Sequence, residues 1–449
     1  MATPKIAIIG AGPAGCTLAR LLHLSSIPCT IYESESAPSS RSQGGTLDLH
    51  TDTGLAAIKA CGLNEEYLKL ARFDGEAFHL CDKNLTTWVK LGGTRNEKSS
   101  RGRPEIDRSQ LRRILFDSLP EGIIKWGHKV HHISRIDRTV HFMEASLPSS
   151  EPYDLIVGAD GAWSKVRSLL TDVKPIYSGV SGLELHISNA AKTYPELNAL
   201  VNRGSLFAYS DGKHIGAQQK SDGSLIIYLS SVRPEDWIKR PGYDVHDPVA
   251  TKQSALQEFA DWHPELRRFV EVADESEGSL ITRNHYQLPT GTKWTHKAGF
   301  TLIGDAAHLM TPYAGEGVNV AMRDAMDLAS AIVFTVTELR ENMSDLRLLE
   351  RLSRRVEEFE NVMFRRGAKW QAITQQNVDD AFFNPRFPAK RIESFVARAI
   401  CGSDANIFTT IFVYIMSYAY FTLYKVWLLI LDWLNDRSGG LDDLRACTS

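Results

Sequence analysis

The sequence predicts an α/β protein with an antiparallel sheet inserted between the two halves of its α/β domain and a helical region at the C-terminus. Three observations carry this. An apolar strand, a glycine-rich turn, a helix and a second strand follow one another from Ile6 to Glu33. Alternating residues punctuated by Asp-Gly turns fill about 182–231. The strand and glycine-rich turn then return at Phe300–Gly304.

Taken in order, Ile6–Ile9 is a short unbroken apolar run, the pattern of a strand buried on both faces. Ala14–Leu24 repeats its apolar residues at a spacing near 3.6 and reads as a helix. Cys29–Glu33 is the next strand, so the opening is a parallel βαβ unit. A further strand is expected at Asp154–Ala159, stopping at Asp160-Gly161. From Gly182 to Ser231 the period drops to two, as in Ser224–Ser230, and Asp-Gly at 211–212 and 222–223 marks hairpins. Phe300–Gly304 restores the first pattern and leads to a helical stretch at Val318–Ala331. Ser344–Gln371 reads as a long, charged amphipathic helix. The chain thus divides into a discontinuous α/β domain over 1–175 and 280–340, a β-sheet domain over 176–279, a bridging helix region over 341–400 and an apolar extension over 401–449.

Composition excludes several functions. Lys and Arg number 51 against 54 Asp and Glu, a net charge of -3. No basic surface is available to replace phosphate counterions, so nucleic acid is not an expected partner. The six cysteines are scattered, without the spacing of a metal site or the density of a disulfide scaffold. No metal is expected, and a reducing compartment is. The apolar start at Ile6 is too short for a secretion signal, which points to an intracellular protein.

The chemistry begins at Gly10-Ala11-Gly12-Pro13-Ala14-Gly15. The first glycine lets the chain turn sharply after the strand, the second lets backbone approach a pyrophosphate, and the third packs helix close to strand. The helix N-terminus offers unpaired N–H groups to that anion. Glu33 ends the next strand 18 residues after Gly15, where a carboxylate can accept hydrogen bonds from an adenosine ribose. The context is that of a Rossmann-like dinucleotide-binding domain. Asp305 stands just past the strand Thr301–Gly304, where it can bind a sugar-alcohol hydroxyl, and Gly315–Asn319 opens a helix aimed at the same ligand. Asp160-Gly161 closes a third strand end.

Gly10–Gly15 with Glu33, Asp160-Gly161 and Gly304-Asp305 resemble, in kind and spacing, the single-component FAD-dependent monooxygenases of the aromatic-hydroxylase type. The resemblance covers about residues 5–395. It tightens at Gly44-Gly45-Thr46-Leu47-Asp48-Leu49-His50, at Pro104–Arg108 and at Leu302–Asn319, which look like the tetracycline-inactivating and secondary-metabolite subgroup.

That resemblance implies an FAD site. Gly10, Gly12 and Gly15 would hold the pyrophosphate and Glu33 the ribose. Arg41 and Asp48 would lie beside the flavin, Arg41 also touching the reducing nicotinamide. Arg108 would reach FAD, and Asp160 and Asp305 would line it, Asp305 at the ribityl or pyrophosphate part. Gly315, Gly317 and Val318 would run along the ring. His186 matches a substrate-contacting position on the inserted sheet. One departure stands out: where the family often carries Gln, this chain has Glu316. A carboxylate there would oppose an anionic reduced ring, so Glu316 is expected to point away or to be neutralised by a base.

The implied activity is NADPH- or NADH-driven insertion of one oxygen atom from O₂ into an organic, lipophilic or polycyclic substrate, through a flavin C4a-hydroperoxide. The cofactor does the chemistry, so no catalytic residue is named. A second G-x-G-x-x-G is lacking, which fits transient nicotinamide binding. An FAD-dependent dehydrogenase or reductase would share every cofactor motif, and the same fold serves non-catalytic carriers. Substrate identity, oligomeric state and the choice among hydroxylation, epoxidation and Baeyer–Villiger insertion stay open.

At the C-terminus, Ala405–Tyr424 is 20 residues without a charge, and apolar character resumes after Lys425 to Leu434. Such a helix is long enough to cross a bilayer core of roughly 30 Å. Its Tyr and Trp residues are of the kind that settle at membrane interfaces. Membrane contact through residues 405–434 is expected, spanning or in-plane, against the alternative of a helix packed on the catalytic domain.

Overall fold

The computed structural model describes residues 3–38, 44–93, 102–144, 146–239, 242–276, 278–338, 345–402 and 407–446. The chain opens with β1 (Ile6–Ile9), α1 (Pro13–Leu24) and β2 (Cys29–Tyr32), followed by β3 (Thr46–Asp48), β4 (Phe78–Cys81), β5 (Thr87–Leu91) and β6 (Glu105–Asp107). Next come α2 (Arg108–Asp117), β7 (Ile124–Lys125), a ribbon of β8 (Val130–Ile133) and β9 (Val140–Phe142), and β10 (Leu155–Gly158). The middle of the chain supplies β11 (Ile176–Ile187), β12 (Ser205–Ser210), β13 (Lys213–Gln219), β14 (Leu225–Val232) and β15 (Leu280–Gln287). It ends with β16 (Phe300–Leu302) and the helices α3 (Gly317–Glu338), α4 (Asp345–Phe382), α5 (Ile392–Cys401) and α6 (Ile407–Ala446).

The first sheet has five parallel strands in the order β16-β10-β1-β2-β7. Its central strands are apolar at every position because helices cover both faces: Ile6, Ala7 and Ile8 are at most 1% exposed. Cys16, Leu18, Ala19 and Leu22 of α1 join this core with Met322, Leu328 and Ile332 of α3. Each large aliphatic side chain buried there contributes about 1.5–3 kcal/mol. β16 lies some 290 residues after β1 in the chain, yet both belong to this one sheet.

The second sheet has seven strands in the order β15-β11-β14-β13-β12-β4-β5. The hairpin β12–β13 turns at Asp211-Gly212, both with positive φ (54° and 69°), the twist a tight two-residue hairpin needs. Alternate residues face opposite ways. Leu183, Leu185 and Ile187 join an apolar core beneath helices Pro248–Glu258 and Pro264–Glu271. Glu184 and His186 occupy the other face. One part of the layout differs from expectation. β4 and β5 belong to this sheet although they lie within 1–175, because Ser205–Ala208 pair in parallel with Phe78–Cys81. A boundary at residue 176 therefore does not enclose the sheet.

α4 extends to Phe382, beyond the expected end at 371, because its apolar stripe continues. Leu352, Val356, Phe359 and Met363 pack into the first core. Val378, Ala381 and Phe382 pack into a third cluster against the inner face of the larger sheet. The helix thus bridges both sheets. α5 and α6 close that cluster from outside, with Phe421 of α6 only 3% exposed.

Candidate active site

Four of the expected ligand residues stand at the C-terminal ends of the parallel strands. Gly10 follows β1, Glu33 follows β2, Asp160 lies two residues past β10, and Asp305 three past β16. In an open α/β sheet this edge is where ligands bind.

The three glycines of the first turn have different physical reasons. Gly10 has φ +105°, its N–H donates to the Tyr32 carbonyl at 2.8 Å, and a Cβ there would strike the Ala159 carbonyl. A Cβ on Gly15 would overlap the Gly10 carbonyl oxygen. Around Gly12 nothing lies within 4 Å of such a Cβ. The first two are demanded by internal packing, whereas Gly12 leaves a bare surface at the start of α1. No side chain caps that helix end, so its N–H groups remain available to an anion.

Glu33 is 8% exposed and already engaged. Its Oε2 accepts from the Ala11 N–H at 2.7 Å, and its Oε1 from Ser34 Oγ and the Glu35 N–H, each at 2.9 Å. The carboxylate therefore braces the glycine turn. Arg112, which the family motif does not single out, lies one turn after Arg108 on α2. Its buried guanidinium pairs with Glu35 and lies 4.7 Å from the Phe116 ring centre, and its Nη1 has no hydrogen-bond partner among the described residues. The four-residue spacing from Arg108 was the available signal.

Asp160 accepts the Lys165 N–H at 2.6 Å through Oδ2, while its buried Oδ1 has no hydrogen-bond partner among the described residues. Burial pushes its carboxyl above the ordinary range. Arg167, itself buried, donates to the Ala306 carbonyl at 3.0 Å and to that of Ala162. It ties the turn after β10 to the turn after β16. Asp305 is exposed at the strand-end edge of the sheet, yet surrounding protein removes enough water to hold its carboxyl above its usual value, against the pull of His308, Arg108 and Arg167.

Behind Asp305 lies a network the sequence did not reveal. Asp324 of α3 is fully buried and accepts the Gly304 N–H at 3.0 Å, His308 Nε2 at 2.5 Å and Arg366 Nη2 at 2.8 Å. Arg366 also reaches Asp327 at 2.8 Å. Burial opposes charge on both partners. The attraction between His308 and Asp324 nevertheless raises the histidine, against the opposing charge of Arg366, and together with Arg366 it lowers the aspartate from its ordinary value. This network holds the turn that presents Asp305.

At the other end of the cleft, His50 lies between two carboxylates, with Nε2 2.9 Å from Asp48 and Nδ1 3.1 Å from Glu316. Burial works against its charge, but the two carboxylates push its titration up to about 9. Glu316 is thereby matched by a base, one of the two outcomes expected for it. Asp48 is held below its usual value, the His50 interaction outweighing burial. Asn319 ties the group to α3: its Nδ2 donates to the Asp48 carbonyl at 2.9 Å and its Oδ1 accepts the His50 N–H at 2.9 Å. Gly315 adopts φ +71°, a Cβ on Gly317 would meet nothing within 4 Å, and Val318 packs partly on the first core.

Facing this end is the inner side of the larger sheet. Glu184 is 4% exposed, 3.7 Å from His186 Nε2 and 3.5 Å from Arg283 Nη2. Burial opposes its charge, yet His186, Arg283 and Arg108 together hold its carboxyl below the ordinary range. Tyr228 accepts the Gly45 N–H at 3.2 Å. His186 therefore lies 3.7 Å from a carboxylate that also feels the charge of Arg108. Arg41 lies outside the described residues. Further along, Tyr209, Tyr313, Phe382 and Phe387 surround His214 and one another. Both His214 ring nitrogens lack hydrogen-bond partners among the described residues, and burial lowers its titration to about 3. His285 falls to about 4 for the same reason. These two imidazoles are neutral hydrogen-bonding groups in aromatic surroundings.

Residues 3–345 match the family described as an FAD binding domain. The chain is 35% identical to the monooxygenase asqM of Emericella nidulans over 375 residues, covering 73% of this chain and 83% of that one. It is 33% identical to the monooxygenase penA of Penicillium thymicola over 417 residues, covering 83% and 94%. Among solved structures, the tetracycline destructase Tet(55) shares the fold with a TM-score of 0.64 at 18% identity, over 90% of this chain and 97% of that one. With the glycine turn, the converging strand ends and these relatives taken together, the chain belongs to the FAD-dependent monooxygenases of the aromatic-hydroxylase type.

Proposed function

We propose that this enzyme uses NADPH or NADH to insert one oxygen atom of O₂ into a lipophilic, polycyclic organic substrate by hydroxylation or epoxidation. The observation that carries the reading is Gly12: an uncapped helix start with a bare face, at an edge where three other strand ends converge.

The residues fit FAD. Gly10, Gly12 and Gly15 would receive the pyrophosphate on the α1 N–H groups. Arg112, whose Nη1 lacks a partner, and Arg108 would supply positive charge. Asp160, with one unpartnered oxygen, and Asp305 would accept from hydroxyl groups. Glu33 would shape the turn and border the ribose. Asp48, Gly315, Gly317 and Val318 would flank the ring, and Arg41 would meet the nicotinamide. When bound and reduced, FAD supplies the activated oxygen; the second atom of O₂ leaves as water and the nicotinamide leaves oxidised.

The chain's own work is positioning and charge control. His50, held protonated by Asp48 and Glu316, offsets one of the two carboxylate charges and so lessens, without abolishing, their opposition to negative charge on the ring. The His214 and His285 imidazoles, neutral at physiological pH, would meet polar groups of an otherwise apolar substrate among Tyr209, Tyr313 and Phe382. His186 would border the same space. The protein's partners are then a small molecule, O₂ and, through α6, a lipid surface.

The deciding experiment supplies the FAD-loaded enzyme with NADPH, labelled O₂ and a panel of polycyclic aromatic compounds. One labelled oxygen per product is expected. Product oxidised without label would make the enzyme a dehydrogenase instead, and a colourless protein that binds no flavin would make it a carrier.

A further inference from the structure

Helix α6 carries an apolar stretch, Ile407–Leu431, 25 residues long enough to cross a membrane. Among the described residues, one stripe of it is seated on the body of the protein. Ser417 donates to the Glu393 carbonyl at 2.8 Å, Phe421 is 3% exposed, Tyr424 bonds the Thr87 carbonyl, Lys425 pairs with Glu393, and Leu428 packs on the third cluster. These positions recur at i, i+4, i+7, i+8 and i+11, one face of a helix. The stripe also covers β5, the outermost strand of the larger sheet, whose free edge would otherwise be exposed.

The remaining circumference, roughly 200° at 100° per residue, faces outward and is uncharged and largely apolar, with exposed Thr422 among its hydrophobic residues. Phe408 is 81% exposed, Leu423 71% and Leu429 69%, with Phe412, Ile415 and Ile430 alongside. Lys425 is the single charged residue from 407 to 431, and it belongs to the docked stripe. A surface helix facing water would carry its charges on the outer side. A helix–helix seam would need a narrow stripe instead. An arc this wide, with Tyr418, Tyr420 and Trp427 at its borders, suits lipid.

The place of the contacts decides the orientation. Ser417 to Leu428 covers about 16 Å of helix at 1.5 Å per residue, within a hydrocarbon layer only about 30 Å thick. A helix crossing the bilayer while so attached would draw α5 and β5, with Glu393, Lys90 and the Asp82 carboxylate bonded to Trp88, into hydrocarbon. Resting on the membrane-association reading above, we propose that α6 lies in the plane of the bilayer, its outer arc among the headgroups and upper acyl chains, and holds the catalytic domain on one leaflet. The cluster beneath α6 runs without a break from Phe421 through Phe382 to Tyr313, beside the Gly315–Gly317 turn. A lipophilic substrate would therefore leave the membrane next to the oxidising site.

The test translates the full chain, tagged at both ends, in the presence of sealed microsomes, which are then pelleted and treated with protease. Pelleting with both tags digested equally is the expected result. A protected C-terminal tag would show a spanning helix and overturn the in-plane geometry while leaving membrane association intact. Failure to pellet would overturn both. A Leu423→Glu, Ile430→Glu double variant checks the face on FAD-loaded protein and phosphatidylcholine vesicles. Its vesicle-bound fraction should fall about tenfold or more with flavin absorbance unchanged. Equal binding would show that another surface attaches the protein. Wild-type protein that ignores vesicles yet forms a dimer dissolved by these substitutions would assign the arc to a second copy.

Discussion

His50 Nδ1 stands 3.1 Å from Oε1 of Glu316, in a pocket where Glu316 is 4% exposed. The pair turns a residue that should hinder a flavin into part of a compensated group. Replacing Glu316 by Gln removes the negative charge and leaves His50 with Asp48 alone. The two-electron potential of bound flavin should rise by about 30 mV or more, the equivalent of about 1.4 kcal/mol of relieved repulsion. Spectroelectrochemical titration measures this, and an unchanged or lower potential would remove Glu316 from the ring's surroundings.

The same bridge predicts a pH dependence. His50 titrates near 9 in the folded protein against an ordinary 6.5. A raised folded-state value means that its contribution to stability is complete below about pH 6.5 and is lost as the pH climbs through 9. The Tm difference between the wild type and His50→Gln should therefore be widest near pH 6.5 and narrow by pH 10. A gap that widens with pH would contradict the charged bridge.

Gly12 and Gly15 should separate binding from folding. Gly15→Ala drives a methyl group into the Gly10 carbonyl, and such overpacking costs about 1–3 kcal/mol. Gly12→Val meets open space, so its chain should fold with nearly wild-type circular dichroism but purify without colour. Stoichiometric FAD in Gly12→Val would refute the pyrophosphate assignment.

These contrasts show which parts of the site the sequence could announce. Gly10–Gly15, Glu33, Asp160 and Asp305 were legible because a buried parallel strand is an unbroken apolar run, and the first polar residue after it marks the ligand edge. The Asp324 network was not, because its partners lie 16 and 42 residues away in the chain and meet only when α3 and α4 pack. β4 and β5 were hidden for a related reason: their place in the larger sheet rests on a pairing between Phe78 and Ser205, far apart in sequence. For α6 the composition announced an apolar helix, but only the stripe from Ser417 to Leu428 shows which side is docked.

Two substitutions probe cofactor and reductant separately. Asp305→Ala should release FAD while leaving the fold intact, since Asp305 is exposed at the strand-end edge of the sheet. Arg41→Ala should slow anaerobic flavin reduction by NADPH more than it weakens FAD binding. Stopped-flow reduction beside equilibrium flavin titration distinguishes them, and unchanged reduction kinetics in Arg41→Ala would end its assignment to the nicotinamide.

The Asp324 network should govern stability first and FAD affinity second. Asp324→Asn keeps the shape but leaves His308 and Arg366 without their shared carboxylate, in a place with no water to replace it. Breaking a buried ion pair in this way costs about 3–5 kcal/mol, although Asp327 still partners Arg366 and should reduce the loss. The Gly304 N–H would also lose its charged acceptor, loosening the turn that presents Asp305. FAD should then bind more weakly in Asp324→Asn, and saturating FAD should recover part of the lost Tm, because a ligand that binds only the folded state stabilises it by mass action. Thermal unfolding of apo and FAD-saturated protein, for wild type and variant, measures both effects. A variant with wild-type Tm and FAD affinity would show that α3 and α4 hold the Gly304–Asp305 turn by packing alone.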